Sequence, residues 1–191
     1  MHCLATEDDF IQIASIYKKR LNNISFLSER SIEFLAFFYR EICSYDSTVL
    51  LVEKSERGSV QGFIFCSTDR NQYYKRFFIE NIFVIILHGS ILIPLIKFGI
   101  QRFITKNRHP LYKSELVQIV VDNQFQGTGI GKGLIVAAEE EFRRRNIFEY
   151  YLQVFSENRA AIDLYQSIGF EIVSPFAVGK RTKYLMKRVL K

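Results

Sequence analysis

Three glycines at alternate positions, Gly127, Gly129 and Gly131, lie in the stretch VDNQFQGTGIGKGL between an apolar run and a long amphipathic segment. Glycine loses more backbone entropy on folding than any other residue, so this cluster indicates a tight turn or a ligand held against bare backbone. A helix that begins directly after such a turn offers unpaired N–H groups and the positive end of its dipole. The chemistry that this arrangement could perform is the binding of a phosphate or pyrophosphate.

The spacing of the glycines fits two common phosphate-binding loops poorly. A Walker A loop needs Ser or Thr after its lysine, whereas Gly133 follows Lys132. A dinucleotide-binding loop needs G-x-G-x-x-G and an acidic residue at the end of the next strand. Here the glycines run G-x-G-x-G, and the strand-like run YYLQVF ends without an acidic residue. A different phosphate loop is therefore indicated.

A second motif follows the glycines and narrows the choice. Gln126, Gly129 and Gly131 fit Q-x-x-G-x-G, and the chain later carries NRAAIDLYQSIGF. This pair resembles the GCN5-related N-acetyltransferase (GNAT) superfamily, whose pyrophosphate loop is Q/R-x-x-G-x-G/A and whose later signature is N-x-x-A-x-x-[LF]-Y-x-x-x-G-F. The resemblance is strong over residues 115–173 and weaker over residues 1–68, and residues 70–110 depart from a minimal member. It implies transfer of an acetyl group from acetyl-CoA to a primary amine, by direct attack in a ternary complex and without a metal.

The resemblance also implies which residues bind acetyl-CoA. The strand before the loop would splay from its neighbour, so that its backbone could hydrogen-bond the pantetheine arm and the thioester carbonyl; these residues are Ile119, Val120 and Val121. The pyrophosphate would be held by Gln126, Gly127, Thr128, Gly129, Ile130, Gly131 and Lys132. Asn158, at the start of the second motif, would contact the cofactor, and this role is compatible with a helix N-cap.

Two residues are candidates for proton transfer. Tyr165 matches the motif tyrosine, which the resemblance implies protonates the departing CoA sulfur, and a buried core tyrosine is the alternative. Glu115 is the candidate general base, because burial at the start of a strand would raise its pKa toward neutrality; an exposed strand-end glutamate is the alternative. Gln153 stands where ribosomal-protein N-terminal acetylases carry their base, and glutamine accepts no proton at neutral pH. Glu80 and His88 are further candidates.

The elements that must position these residues follow from hydrophobic periodicity. The first half predicts a helix in ATEDDFIQIASIYKKR with Thr6 and Asp9 at its start, a second helix in SIEFLAFFYREI, and a hairpin over residues 48–68. The second half predicts, in order, the strand ELVQIVV, the helix GKGLIVAAEEEFRRR, the strand FEYYLQVF and the helix NRAAIDLYQSI, which Gly169 closes. With the resemblance, this order implies an α/β fold with a GNAT-like mixed, splayed central β-sheet flanked by helices.

The secondary structure of the apolar segment around residues 70–110 is the least clearly indicated by the sequence. It contains NIFVIILHGSILIPLIKFGIQRF, in which Pro94 should kink or end a helix. A membrane span needs about 20 mostly apolar residues, so the stretch is borderline. We expect a helical insertion packed over the acceptor side of a single domain of residues 1–191; a spanning helix, or contact with a membrane surface or a partner, is the alternative.

Composition indicates one globular domain inside the cell. The chain is 48% hydrophobic and 24% charged, and its 191 residues can bury a core without disulfides. The three cysteines lie far apart, with no C-x-x-C, so neither zinc nor a disulfide framework is indicated; Cys43 and Cys66 carry no signal for activation and are assigned to packing. The start MHCLATEDDF lacks the features of a secretory signal, so a cytoplasmic location is expected.

The net charge of +6 favours anionic partners, but the basic tail GKRTKYLMKRVLK is equally well explained as a solvated surface. The chain has no recognised nucleic-acid reader motif, so neither nucleic acid nor a membrane is an expected partner. The expected acceptor is a small-molecule or peptide amine, and exposed edge strands are compatible with a homodimer. The alternative function is a non-catalytic acyl-CoA-binding sensor or scaffold module.

Overall fold

A computed structural model of the chain describes residues 2–21, 30–81 and 112–191. The strands in these ranges are β1 (His2–Leu4), β2 (Thr48–Lys54), β3 (Val60–Ser67), β4 (Glu115–Val121), β5 (Glu149–Phe155), β6 (Glu171–Val178) and β7 (Arg181–Val189). The helices are α1 (Phe10–Arg20), α2 (Ile32–Cys43), α3 (Arg70–Glu80), α4 (Ile130–Arg144) and α5 (Arg159–Ile168).

All of these strands join one mixed sheet. Their order is β1-β2-β3-β4-β5-β7-β6, and every neighbouring pair is antiparallel except β4 and β5, which run parallel. A parallel pair needs a long crossover connection, and α4 supplies it here. The predicted α/β fold with a mixed central sheet and flanking helices is therefore confirmed.

The helices cover the two faces of the sheet separately. Buried side chains of α1, α2 and α3 pack on one face, which we call the α1 face, and include Tyr17, Tyr39 and Phe77. Those of α4 and α5 pack on the other face, the α4 face, and include Phe142 and Tyr165. Successive residues of a strand point to opposite faces, so each strand contributes alternately to the two cores.

The start of the first helix follows the predicted cap. The backbone N of Thr6 donates to Oδ2 of Asp9 at 2.8 Å, and Lys54 Nζ lies 2.8 Å from the same carboxylate oxygen. Asp9 is almost fully buried, so this ion pair fixes the helix start against the β2–β3 hairpin. The hairpin and the second helix also form where the sequence predicts them.

The basic tail forms a strand of the sheet, and its charged side chains are exposed or half-buried. It contains all of β7, which lies between β5 and β6, and its residues Leu185 and Met186 are fully buried. Neither β6 nor β7 was predicted, because Ser174 and Pro175 interrupt the apolar run of β6 and charged residues interrupt that of β7. Pro175 lies in β6, where it is tolerated because β6 is an edge strand.

Part of the predicted insertion can be compared with the structure. Its first residues form α3, whose Phe77 packs on Phe38 of α2 with ring centroids 5.0 Å apart. The remainder, including His88 and Pro94, lies outside the described residues, so its placement on the acceptor side stays a prediction. The single-domain organisation and the homodimer also stay predictions. No helix in the described ranges is long and apolar enough to cross a membrane.

Candidate active site

A gap opens in the sheet between β4 and β5. The two strands pair only through Glu115 with Tyr151 and Leu116 with Leu152. At this point the register between β3 and β4 shifts, and beyond it β4 and β5 share no ladder pairing. The strands are therefore splayed as the resemblance implied. The three residues predicted to contact the thioester arm, Ile119, Val120 and Val121, lie along the β4 edge of the gap.

The glycine turn leads from the end of β4 into the start of α4. Gly127 and Gly129 have φ values of 76° and 86°, in the left-handed region that favours glycine. Gly129 is the residue before the helix, and its carbonyl accepts the first helical bond, from Gly133 N at 3.0 Å. The amides of Ile130, Gly131 and Lys132 therefore have no partner within the helix. Together with the dipole of this helix, these amides are suited to an anion.

Gly131 differs from the other two glycines. It lies inside α4, and a Cβ added there would meet Leu164 at 3.6 Å, which is an ordinary van der Waals contact. The structure therefore does not require the absence of a side chain at this position. Only Gly127 and Gly129 have the backbone conformation that explains a glycine cluster.

Gln126 is turned toward the end of α1. With its amide oxygen facing Arg20, it accepts hydrogen bonds from Arg20 Nη1 at 3.1 Å and Nε at 3.2 Å. Arg20 Nη1 also donates to Asn123 Oδ1 at 2.6 Å, and Lys19 Nζ lies 3.4 Å from Asp122. Two cations of α1 thus hold the segment that leads into the glycine turn. The run KKR at the end of the first predicted helix was the available signal, but it does not identify its partners.

Asn158 precedes the first residue of α5, and Tyr165 lies in the last turn of this helix. Asn158 caps the helix, because its Oδ1 accepts a hydrogen bond from Ala161 N at 3.3 Å. Tyr165 is 7% exposed and packs in the same cluster as Leu116 and Leu152, the last residues that pair before the gap. Burial raises the pKa of the Tyr165 hydroxyl, and Cys66 adds to the rise. Tyr165 therefore carries its proton at neutral pH, beside the gap on the α4 face.

Glu115 lies on the opposite side of the sheet. It alternates with Leu116, which packs on the α4 face, so its carboxylate is on the α1 face. Glu115 is 7% exposed and its Oε2 lies 3.0 Å from Nε of Arg70, at the start of α3. The alternative of an exposed strand-end glutamate is therefore wrong. Proximity of α3 to β4 could not be inferred from the sequence.

Tyr112 connects Glu115 to Gln153, which stands where ribosomal-protein N-terminal acetylases carry their base. Its hydroxyl donates to Glu115 Oε1 at 3.4 Å and accepts from Gln153 Nε2 at 2.7 Å. The ring of Tyr112 stacks on Tyr151, with centroids 4.7 Å apart, and Arg70 lies over it at 4.9 Å. Burial raises the pKa of the Tyr112 hydroxyl, and the Glu115 charge contributes. Sequence reasoning missed Tyr112, although it stands three residues before Glu115.

The remaining candidates are placed away from this arrangement or outside the described residues. Glu80 ends α3 and pairs with Arg76 at 2.7 Å on the surface. Cys66 is buried in β3, and Cys43 is half-buried. Burial raises the pKa of both thiols, which agrees with their assignment to packing. Among the residues that the structure describes, no group of three or more His, Cys, Asp or Glu side chains could hold a metal ion.

A separate groove of about 710 Å³ lies between β1 and the start of α4. Its lining includes His2, Leu51, Lys132 and Val136. It borders β1 and β2, whereas the gap separates β4 from β5, so the groove and the gap are different places in the fold. The groove meets the glycine turn only at Gly129 and Lys132.

Comparison with known proteins agrees with this geometry. Residues 99–170 match the family model described as "Acetyltransferase (GNAT) family". The "[Ribosomal protein bS18]-alanine N-acetyltransferase" of Escherichia coli (strain K12) is 37% identical over 60 residues, which are 31% of this chain and 40% of the relative. The match thus spans less than half the length of this curated relative.

Solved structures resemble the whole chain. A ribosomal-protein-alanine N-acetyltransferase from Brucella melitensis has a TM-score of 0.68 at 21% identity, covering 100% of this chain and 99% of that one. The Salmonella typhimurium protein yncA, solved with its cofactor acetyl-CoA, has a TM-score of 0.66 at 18% identity, covering 100% of this chain and 94% of that one.

The fold and the motifs define an α/β protein that is similar to acetyltransferases. The predicted resemblance to the GNAT superfamily is confirmed, over residues 99–170 by sequence and over the whole chain by fold.

Proposed function

We propose that the chain is an acetyl-CoA-dependent N-acetyltransferase that moves an acetyl group to a primary amine by direct attack in a ternary complex. The observation that carries the proposal is the gap between β4 and β5. It has the glycine turn at the end of its β4 edge, Tyr165 on one face of the sheet and the Glu115–Tyr112–Gln153 chain on the other. Two substrates that enter from opposite faces would meet in such a gap.

The residues around the gap fit acetyl-CoA as a substrate. The amides of Ile130, Gly131 and Lys132 and the exposed Lys132 ammonium suit a pyrophosphate, and open space surrounds the Cα of Gly129. Ile119, Val120 and Val121 also pair with β3, so the backbone groups of alternate residues point into the gap, where they suit the pantetheine amides and the thioester carbonyl. Bound acetyl-CoA would supply an activated acetyl group. Asn158, at the start of α5, is proposed as a further contact.

Tyr165 is proposed as the general acid. Its hydroxyl makes no hydrogen bond to any other residue in the described ranges, so no protein acceptor competes for its proton. Burial keeps Oη protonated at neutral pH. Tyr165 can therefore give its proton to a departing thiolate, and regain one from solvent after the products leave.

Glu115 is proposed as the general base, acting through Tyr112. In this step the amine loses a proton to Oη of Tyr112 while the Tyr112 hydroxyl proton moves to Oε1 of Glu115. The 3.4 Å contact between Tyr112 and Glu115 is long for a hydrogen bond and has to shorten in the ternary complex, as catalytic contacts commonly do. Gln153 holds Oη in place by donating to it. Arg70 fixes the carboxylate and compensates its charge.

The proposed acceptor is the amine of a peptide. The E. coli relative is named for an alanine of a ribosomal protein, which supports this choice over an amino sugar or a polyamine. The α1 face of the gap is lined by Tyr112, Tyr151 and Phe155, whose flat rings suit an extended peptide.

A non-catalytic acyl-CoA sensor is the second candidate. It is favoured by Gln153, because this position carries the base in the ribosomal-protein acetylases that the chain resembles, and glutamine cannot replace it directly. The sensor and the enzyme both predict tight binding of acetyl-CoA. Only the enzyme predicts consumption of the thioester when an amine is added.

The test is the release of free CoA from acetyl-CoA in the presence of short peptides with free N-termini. Wild type is expected to release CoA only when an acceptor is present, and Tyr165→Phe is expected to lower kcat at least about tenfold. Glu171→Gln, an exposed change on β6 away from the gap, is the control and is expected to leave kcat unchanged. Tight binding of acetyl-CoA by calorimetry without release for any peptide would refute the enzyme and favour the sensor.

A further inference from the structure

Lys183 lies beside the gap on the α1 face. It pairs with Phe155, the last residue of β5, in the part of β5 that has no ladder contact with β4. Its neighbours Tyr184 and Met186 pack on the α4 face, so alternation along β7 directs Lys183 toward the α1 face with Gln153 and Glu115. The ammonium Nζ lies 4.6 Å from the centre of the Phe155 ring.

The other cations near this position already have carboxylate partners. Arg70 pairs with Glu115 at 3.0 Å, and Lys187 pairs with Glu149 at 2.6 Å. Arg181, whose guanidinium carbon lies 3.5 Å from the centre of the Phe155 ring, pairs with Glu157 at 3.4 Å. Lys183 is the one of these four cations for which the described part of the chain provides no carboxylate within ion-pair distance.

The surroundings of Lys183 disfavour its own charge. Burial lowers the pKa of the ammonium, and the nearby guanidinium groups of Arg70 and Arg181 add to this, while Glu115 opposes it. A half-buried ammonium with this surplus of positive charge would be stabilised by an anion. The only anion that the described residues place close to it is Glu115, which is shared with Arg70.

We propose that Lys183 binds a carboxylate of the acceptor, so that the enzyme selects peptides with an acidic residue at or next to the reactive N-terminus. This inference rests on the proposed acetyl transfer. Gln153 pairs with Leu185 and Phe155 with Lys183, so strand geometry separates the backbones of Gln153 and Lys183 by about 8 Å. An extended peptide advances about 3.5 Å per residue, so a carboxylate in its first two residues reaches Lys183 while its amine is at Gln153.

The test compares short peptides that begin with Asp with otherwise identical peptides that begin with Asn. Wild type is expected to show a kcat/KM at least about tenfold higher for the Asp peptide, because only the carboxylate can form a hydrogen-bonded ion pair with the ammonium. Lys183→Gln is expected to bring the ratio close to one, and Lys183→Arg to retain a preference for Asp. Lys180→Gln removes an exposed charge in the β6–β7 turn and is expected to leave the ratio unchanged.

A second arm replaces the peptides by free aspartate and asparagine, which separates a metabolite acceptor from a peptide. A carboxylate preference that Lys183→Gln abolishes supports the anion site in either arm, and we expect it in the peptide arm. Two results would overturn the proposed anion site. One is an equal kcat/KM for both members of each pair in wild type, and the other is a carboxylate preference that survives in Lys183→Gln.

Calorimetry with the same peptides in the presence of CoA distinguishes failure of this inference from failure of the proposed function. Tighter binding of the Asp peptide that depends on Lys183, without any turnover, would refute acetyl transfer and retain the anion site. Turnover of both peptides at equal efficiency would retain the transferase and refute the anion site.

Discussion

Nε of Arg70 lies 3.0 Å from Oε2 of Glu115, and this ion pair joins the start of α3 to the first residue of β4. A backbone hydrogen bond from Arg70 N to Lys113 O, at 2.9 Å, supports the same junction. Glu115 is thus held at the point where β4 and β5 begin to separate. The ion pair fixes the position of the carboxylate that we propose as the general base, and this leads to the first prediction.

Replacing Glu115 by Gln is expected to lower kcat about 100-fold or more, because the amide cannot accept the proton that Tyr112 passes on. Tyr112→Phe keeps the ring stack on Tyr151 but removes the hydroxyl, and it is expected to lower kcat in the same way. Steady-state kinetics with a peptide acceptor measures both, and Glu171→Gln is the control. Full activity of Glu115→Gln, with a native circular dichroism spectrum, would place the base elsewhere.

The glycine turn provides a matched pair of substitutions. Gly129→Ala forces a residue with a Cβ into φ 86°, which costs about 1 to 2 kcal/mol and distorts the amides of the glycine turn. Gly131→Ala places its Cβ in ordinary contact with Leu164 and leaves the helix start intact. Calorimetric titration with acetyl-CoA is expected to show binding at least about tenfold weaker for Gly129→Ala and nearly unchanged for Gly131→Ala. Equal effects of the two substitutions would contradict this assignment.

Three buried tyrosines make the stability of the fold sensitive to alkaline pH. Burial raises the pKa values of Tyr112, Tyr150 and Tyr165 above the ordinary value of 10.0. The folded state therefore binds these protons more tightly than the unfolded state, so their contribution is fully present below pH 10 and is lost as the pH rises above it. Urea unfolding at about pH 8 and about pH 10.5 is expected to show a clear loss of stability. Tyr165→Phe should reduce this loss of stability. An unchanged pH dependence in this variant would contradict the contribution of Tyr165 to the loss.

The buried carboxylate of Glu139 connects helix α4 to strands β5 and β7. Oε1 of Glu139 accepts hydrogen bonds from Tyr150 Oη at 2.9 Å and from Arg188 Nε at 3.1 Å. Glu139→Ala leaves both donors without this acceptor, and we expect it to lower the free energy of unfolding by about 3 kcal/mol. The neighbouring exposed Glu140→Ala is expected to change it by less than about 0.5 kcal/mol. Similar midpoints for the two variants in urea unfolding would refute the structural role of Glu139.

Much of this fold could be predicted from local patterns. The helix that begins after Thr6 and Asp9, the β2–β3 hairpin and the β4–α4–β5–α5 order depend on caps, turns and periodicity within short windows, and all of them formed as predicted. β6 and β7 were missed because a strand is recognised locally only by clear alternation. In β7, lysines and arginines lie on both sides of the buried pair Leu185 and Met186.

The sequence by itself determined the glycine turn and the order of the motifs, because these depend on residue types at fixed spacing within a continuous segment. Only the tertiary structure decided that Glu115 is buried against Arg70, that Tyr112 lies between Glu115 and Gln153, and that Lys183 lies beside Phe155 at the gap. The partners in these contacts come from separate elements, as when α3 supplies Arg70 to β4 and β7 supplies Lys183 to the end of β5. Which elements become neighbours is set by burial of the whole sheet, and no local pattern records that choice.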